Sequence, residues 1–265
     1  MQTNPRIASI LQANSLDFSV TAVPTFELSV LNLQDDLEFE LPTKLRLGHL
    51  VEKIVSELIK SSTNYSIIAE NIQIIEGKKT IGEIDFIIEN KISKELIHME
   101  LAYKFYLFDP TLSTEPINNW IGPNRNDYLK EKLEKLKTKQ FPLLYHKCTQ
   151  STLSTLPIDK FSQALCLLVS LFIPYEYKGY FSPIYQKAIK GYYINFETFI
   201  SQHNEEKTYC LPAKKEWGID PKNSKIWSEF ESIKKTVEIN MLEKQSPLCW
   251  QKHKDSYSTF FIVWW

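Results

Sequence analysis

The stretch GEIDFIIENKISKELIHMELAYKFYL, residues 82–107, carries the strongest fold signal in this sequence. Apolar and polar residues alternate in both of its halves, which is the period of β-strands with two different faces. In the first half, Ile84 and Phe86 lie on one face and Asp85 lies on the other. The polar segment between the halves resembles a turn, so the two halves are predicted to pair as a β-hairpin.

The second half of the hairpin places three chemically active side chains on one face. These are His98, Glu100 and Lys104, and the apolar residues alternate with them. With the turn centred near Ile92, the register that aligns the apolar faces sets Phe86 opposite Met99. The same register sets Asp85 directly opposite Glu100.

Two carboxylates that face each other across a hairpin repel and destabilise the sheet. We therefore expect a cation between Asp85 and Glu100. Mg²⁺ prefers one or two carboxylates together with water and phosphate oxygens, and Mn²⁺ is the natural substitute. The pair predicts metal-assisted hydrolysis of a phosphodiester, in which a neighbouring lysine stabilises developing negative charge.

The segments around the hairpin predict an α/β layer protein with a mixed central sheet, an antiparallel meander and flanking helices. A third β-rich run at 66–75 completes the meander. Amphipathic periodicity predicts helices at about 45–60, from Leu129 onwards and at about 226–241, with Asn124, Asn126 or Asp127 as the N-cap of the second. Buried strands are predicted at about 164–173 and at the closing FFIVWW.

Composition limits the classes of protein that this chain fits. With 265 residues and 43% hydrophobic side chains, it can bury a large core, and we expect a single domain. Its core is expected at about 45–175, with an extension at about 176–265 packed on it. The longest apolar run, Ala164 to Pro174, is about half the ~20 residues of a membrane-spanning helix. The first residues lack a secretory pattern, so a cytoplasmic, membrane-free protein is expected.

Charge and motifs narrow the function further. The net charge is −1, so nucleic-acid binding would depend on a local basic patch. The four cysteines are scattered, which argues against a zinc cluster. The sequence contains no glycine-rich phosphate loop, serine-nucleophile elbow or dinucleotide fingerprint, which leaves little support for a small-molecule enzyme.

Five segments of the chain resemble a known family. The segments RLGHLVE, GEIDFII, HMELAYKFYL, WIGPNRNDYLKEKLEKL and LPAKKEW resemble the bacterial domain-of-unknown-function family number 1853, a member of the PD-(D/E)XK nuclease-like superfamily. The resemblance spans nearly the whole chain. It implies a restriction-endonuclease-like core and a Mg²⁺- or Mn²⁺-dependent nuclease acting on DNA or RNA.

The resemblance also implies roles for individual residues. Asp85 and Glu100 correspond to the metal ligands, and Glu52 corresponds to an acidic helix residue beside them. The superfamily spacing of acid, any residue, lysine is broken here, because Ala102 stands at the lysine position. Lys104, two residues further on, is then a displaced catalytic lysine.

Other readings of the same residues stay open. Lys104 is also what a sheet edge exposed to solvent would carry, and His98 is either an accessory basic group or part of the polar face. The segment 125–147 has an excess of basic side chains. These bind backbone phosphates, with Arg125 and Lys132 as accessory candidates, or they form a solvated helix face. The alternative function is a catalytically inactive nuclease-fold protein that binds nucleic acid or a partner protein.

Overall fold

The computed structural model describes residues 4–33, 37 and 39–265. Its α-helices are α1 (Pro5–Leu11), α2 (Phe18–Thr21), α3 (Leu47–Lys60), α4 (Leu129–Lys135), α5 (Phe141–Leu143), α6 (Lys147–Thr152), α7 (Pro183–Ala188), α8 (Phe196–Ser201) and α9 (Phe230–Leu242). A π-helical turn, Leu136–Gln140, joins α4 to α5. The helix predicted from Leu129 onwards therefore continues to Leu143. No helix among the described residues is long and apolar enough to cross a membrane.

The strands form one mixed sheet. They are β1 (Asn14–Ser15), β2 (Tyr65–Glu76), β3 (Lys79–Asn90), β4 (Leu96–Phe108), β5 (Trp120–Ile121), β6 (Ser162–Pro174), β7 (Ile189–Asn195), β8 (Lys207–Cys210), β9 (Leu248–His253) and β10 (Ser256–Val263). Their order is β2-β3-β4-β6-β7-β10-β9-β8, with β1 beside β6 and β5 beside β4. β7 pairs in parallel with both β6 and β10, whereas β2, β3 and β4 pair antiparallel. A mixed α/β fold with an antiparallel meander is confirmed.

Contacts divide the chain into two compact units. Unit 1 comprises the described residues within 15–103 and 131–168, and unit 2 comprises residues 4–14, 104–130 and 169–265. Both units take residues from β4 and β6, because the boundaries fall within these strands. The division differs from the predicted core at about 45–175, and the single domain stays a prediction.

Unit 1 contains the meander and the helices that cover it. Helix α3 buries its predicted apolar stripe, which includes Leu50, Ile54 and Leu58. Its polar side is tied to β2 by an ion pair of 3.0 Å between Lys60 Nζ and Glu70 Oε1. A second core layer joins β2 and β3 to α5 and to the segment that leads into β6; its buried members are Ile74, Ile84, Ile87, Leu143, Leu144, Leu153, Ile158 and Phe161.

Unit 2 has its own core, built on the parallel strands β7 and β10. Helices α8 and α9 cover this core, whose buried residues are Ile194, Phe199, Tyr209, Phe230, Ile233, Val237, Cys249, Phe260 and Ile262. The predicted helix at about 226–241 is confirmed from Phe230 onwards. The prediction that Ile226 belongs to its apolar stripe is wrong. Ile226 precedes the helix and is 73% exposed, since it lies in the loop that follows a 3-10 turn.

Candidate active site

Asp85 lies in unit 1, next to the last backbone pair of the hairpin formed by β3 and β4. The register runs from Glu89 opposite Leu96 to Phe86 opposite Met99, as the alternation of apolar residues predicted. One residue further along β3, the Asp85 carboxylate accepts the Leu101 backbone N–H through Oδ2 at 2.8 Å. The side chain of Asp85 is thereby fixed against the strand that carries Glu100.

Glu100 is almost completely buried, with 1% of its surface exposed. Its Oε1 is 2.8 Å from His98 Nε2, and its Oε2 accepts a hydrogen bond of 3.0 Å from Gln140 Nε2. Two donors thus offset the cost of burying a carboxylate. The polar face of β4 was predicted correctly, but it is buried, because the segment around Phe141 covers it and packs on the His98 ring.

Hydrogen bonds from two glutamines fix the tautomer of His98 and the orientation of the Glu100 carboxylate. Gln163 Nε2 donates to the Phe141 carbonyl at 2.8 Å, which fixes the orientation of that amide, and it is 3.1 Å from His98 Nδ1. His98 Nδ1 is therefore the acceptor, and Nε2 carries the proton that is donated to Glu100. This carboxylate–histidine–glutamine chain resembles the outer contacts that orient ligands around metal sites.

The surroundings of Asp85 favour its neutral form. Burial, and next the negative charge of Glu100, raise the pKa of Asp85 to about 7, and Glu52 acts in the same direction. The Leu101 N–H and the positive charge of Lys132 oppose this rise in pKa. The predicted repulsion between the two carboxylates is thus present, and a cation placed between them would relieve it.

The structure brings two further predicted residues within electrostatic range of Asp85. Glu52 lies on α3, is partly exposed and has its Oε2 2.9 Å from His49 Nδ1. Lys132 lies on α4 and is half-buried. The family resemblance implied Glu52 as an acidic helix residue beside the pair, and Lys132 was predicted only as an accessory residue.

Lys104 and Arg125 are held within unit 2. Lys104 Nζ forms an ion pair of 2.6 Å with Asp127 Oδ2. Arg125 adopts a left-handed backbone conformation, pairs with Asp109 at 3.1 Å and stacks 4.5 Å from the ring centroid of Trp265. The catalytic role of Lys104 stays a prediction, and Arg125 has structural partners that the sequence did not indicate.

Sequence reasoning missed Gln140 and Gln163. Both are neutral, half-buried residues, and each is more than 35 positions from its partner on β4. A polar residue at the start of the apolar run of β6 was the only signal for Gln163, and the helical pattern around Leu136 gave none for Gln140.

The chemistry of the donor set fits a hard divalent cation. Among residues 4–33, 37 and 39–265, no group of three or more His, Cys, Asp or Glu side chains is arranged to hold a metal ion. The candidate site therefore offers two carboxylates, Asp85 and Glu100. Mg²⁺ commonly binds through one or two carboxylates and completes its shell with water and substrate phosphate, so two suffice for this ion.

Comparison with known proteins gives a family but no characterised relative. No curated protein and no solved structure matches the chain. The model of the family described as a domain of unknown function, DUF1853, matches residues 16–258. This match includes every residue of the candidate site, and it shows that the chain belongs to the DUF1853 family.

Proposed function

We propose that this protein is a nuclease of the PD-(D/E)XK type that hydrolyses phosphodiester bonds of DNA or RNA with Mg²⁺ or Mn²⁺. The observation that carries the proposal is the pair formed by Asp85 and Glu100 on neighbouring strands. A buried carboxylate whose pKa is raised by a neighbouring carboxylate is typical of functional sites, and metal binding is one function that such a pair serves. The restriction-endonuclease-like core is part of the same proposal.

The roles follow from the position of each side chain. Asp85 is half-buried, less deeply than Glu100, and would be the first of the two to meet an incoming ion. Glu100 is oriented by His98 and Gln140, so it offers a pre-organised oxygen. The bound ion would polarise a phosphate oxygen and lower the pKa of a water. Glu52 adds negative charge at the rim, where it would hold water molecules of the hydrated ion.

Calorimetric titration with Mn²⁺ and Mg²⁺ tests the metal site. We expect the wild type to bind and a variant with Asp85→Asn and Glu100→Gln to lose binding, since both substitutions remove the charge that attracts the ion. Asp159→Asn removes an exposed carboxylate and serves as the matched control. Equal affinity in the wild type and in the double variant would refute the assignment of the ligands.

Cleavage assays test the reaction itself. Purified protein is incubated with single- and double-stranded DNA and RNA, with Mn²⁺ or with excess chelator. We expect cleavage that the chelator abolishes and that the double variant lacks. Cleavage that persists in the chelator would contradict the proposed mechanism.

The second candidate function is a catalytically inactive member of the same fold that binds nucleic acid. Ala102 at the lysine position and the ion pair of Lys104 with Asp127 favour it. Salt-dependent binding of nucleic acid without cleavage in the presence of metal would support this function and would overturn the proposed nuclease.

A further inference from the structure

Hydrolysis of a phosphodiester needs positive charge beside the metal, and β4 does not provide it at the expected place. Ala102 is buried and uncharged, and the ammonium group of Lys104 is paired with Asp127 at 2.6 Å. Negative charge builds up on the phosphate oxygens in the transition state, and a positioned cation accelerates the reaction by stabilising it. Another element of unit 1 has to supply this charge if the site is catalytic.

One helix runs from Leu129 through the π-helical turn to Leu143. It lies alongside β3 and runs antiparallel to it. At its C-terminal end, Leu143 packs against Gly82, where an added Cβ would lie only 2.6 Å from Leu143 Cδ2. Three residues earlier, Gln140 Nε2 lies 3.4 Å from the Glu83 carbonyl and also donates to Glu100. The helix is therefore anchored to the strand two residues before Asp85.

Lys132 lies about two turns before Gln140 on the same helix. Eight residues correspond to roughly 12 Å of helix, while Glu83 and Asp85 are roughly 7 Å apart along the strand. The flexible four-carbon stem of a lysine spans the difference. This places the ammonium group in the neighbourhood of Asp85, and the two groups interact electrostatically.

The pattern of burial along the helix distinguishes Lys132 from the other lysines of this segment. Lys132, Leu136 and Gln140 are spaced by four residues, so they lie near one face. Leu136 is fully buried and Gln140 and Lys132 are half-buried, whereas Lys130, Lys135, Lys137 and Lys139 are exposed. The inward face of the helix therefore carries one positive charge, and it belongs to Lys132.

We propose that Lys132 is the catalytic cation of this site and replaces, from a helix, the lysine that is absent at position 102. The inference rests on the proposed function. In the reaction, a water oxygen forms a bond to phosphorus, and the bond from phosphorus to the leaving ester oxygen breaks with its electron pair on that oxygen. The water releases a proton to solvent, and the leaving oxygen takes one from solvent. Lys132 stays protonated and contacts the phosphate oxygens throughout.

Three lysine variants separate this role from its competitors. Lys132→Met removes the charge and keeps the apolar stem, Lys104→Met tests the displaced lysine on β4, and Lys187→Met removes an exposed helix lysine as the control. We expect Lys132→Met to lower the cleavage rate constant by about 10²–10³-fold. Lys187→Met is expected to cleave like the wild type, and Lys132→Arg is expected to retain a large part of the activity.

Metal affinity provides a second readout that a structural role would not produce. Because Lys132 and the metal are both positive, its removal relieves repulsion. At a pH well above the pKa of Asp85, where its carboxylate is ionised in both proteins, Mn²⁺ should bind Lys132→Met about threefold or more tightly than the wild type. A variant that is merely misfolded would bind Mn²⁺ more weakly. Opposite changes in affinity and cleavage are therefore the expected signature.

The outcomes also separate this inference from the proposed function. If the wild type binds Mn²⁺ and cleaves, and Lys132→Met cleaves at a similar rate, the inference is wrong while the proposed function stands. Loss of cleavage in Lys104→Met but not in Lys132→Met assigns the role to Lys104 and likewise overturns the inference. If the wild type shows no metal-dependent cleavage of any substrate, the proposed function and this inference both fall.

Discussion

Replacing Asp85 by asparagine is expected to stabilise the metal-free protein at neutral and alkaline pH. The amide oxygen of the new side chain still accepts the Leu101 N–H, but the group does not ionise. In the wild type, burial and the charge of Glu100 raise the pKa of Asp85 from 3.8 to about 7. The variant removes the repulsion between the two carboxylates and the cost of burying a charge, and it preserves the hydrogen bond between the strands.

The sign and size of the effect follow from proton linkage. Between pH 3.8 and about pH 7 the folded wild type keeps a proton that the unfolded chain has released. Its free energy of unfolding therefore falls as the pH rises through this window. A shift of about 3 units corresponds to roughly 4 kcal/mol. Because Asp85 keeps some contact with water, we expect the variant to be more stable by about 2–4 kcal/mol at pH 8, and by little at pH 4.

Urea unfolding in excess chelator measures this difference, at about pH 4, about pH 6 and about pH 8. Asp159→Asn is the control, because its carboxylate is exposed, and it should follow the wild type at each pH. A stability difference between Asp85→Asn and the wild type that does not grow with pH would refute the electrostatic reasoning. Addition of Mn²⁺ should narrow the difference at about pH 8, since the ion stabilises only the wild type.

Three further predictions concern stability. His98→Phe leaves a buried oxygen of Glu100 without its donor, and we expect a loss of about 1–3 kcal/mol in urea unfolding. Gly191→Ala places a Cβ in steric conflict with the Thr259 carbonyl oxygen, so the pairing of β7 with β10 must shift, and a loss of about 3 kcal/mol or more is expected. A variant with wild-type stability would contradict the register. Gly48→Ala meets no atom within 4 Å in the first turn of α3, and thermal unfolding should show a gain of about 0.5–1 kcal/mol.

Local patterns in the sequence predicted the elements of unit 1. The alternation in residues 82–107 gave two strands and the pairing of Phe86 with Met99, because the side-chain period of a strand leaves one register that aligns the apolar faces. Helical periodicity gave α3, and the long apolar run gave β6. The same reasoning predicted Asp85 directly opposite Glu100, but the strand pairing ends at Phe86, and the Asp85 carboxylate accepts the Leu101 N–H on the strand that carries Glu100.

Patterns were weaker where an element is short or its burial depends on distant partners. The strands β7, β8 and β9 were not predicted, because their buried residues are covered by the helices α8 and α9, which the tertiary fold brings onto this part of the sheet. Their short runs contain too few residues to show a period. The turn before β4 was located correctly, and the Asn90 side chain shapes it by accepting the N–H groups of Ile92 and Ser93.

The sequence by itself determined the acid pair and the strands that carry it, because both depend on neighbouring positions and a fixed period. Only the tertiary structure decided what surrounds the pair. Gln140 and Gln163 reach Glu100 and His98 from elements 40 and 65 positions away. The positive charge of Lys132, on a helix packed against β3, lowers the pKa of Asp85. Contacts of this kind depend on how helices pack on a sheet, and this packing cannot be predicted from local sequence patterns.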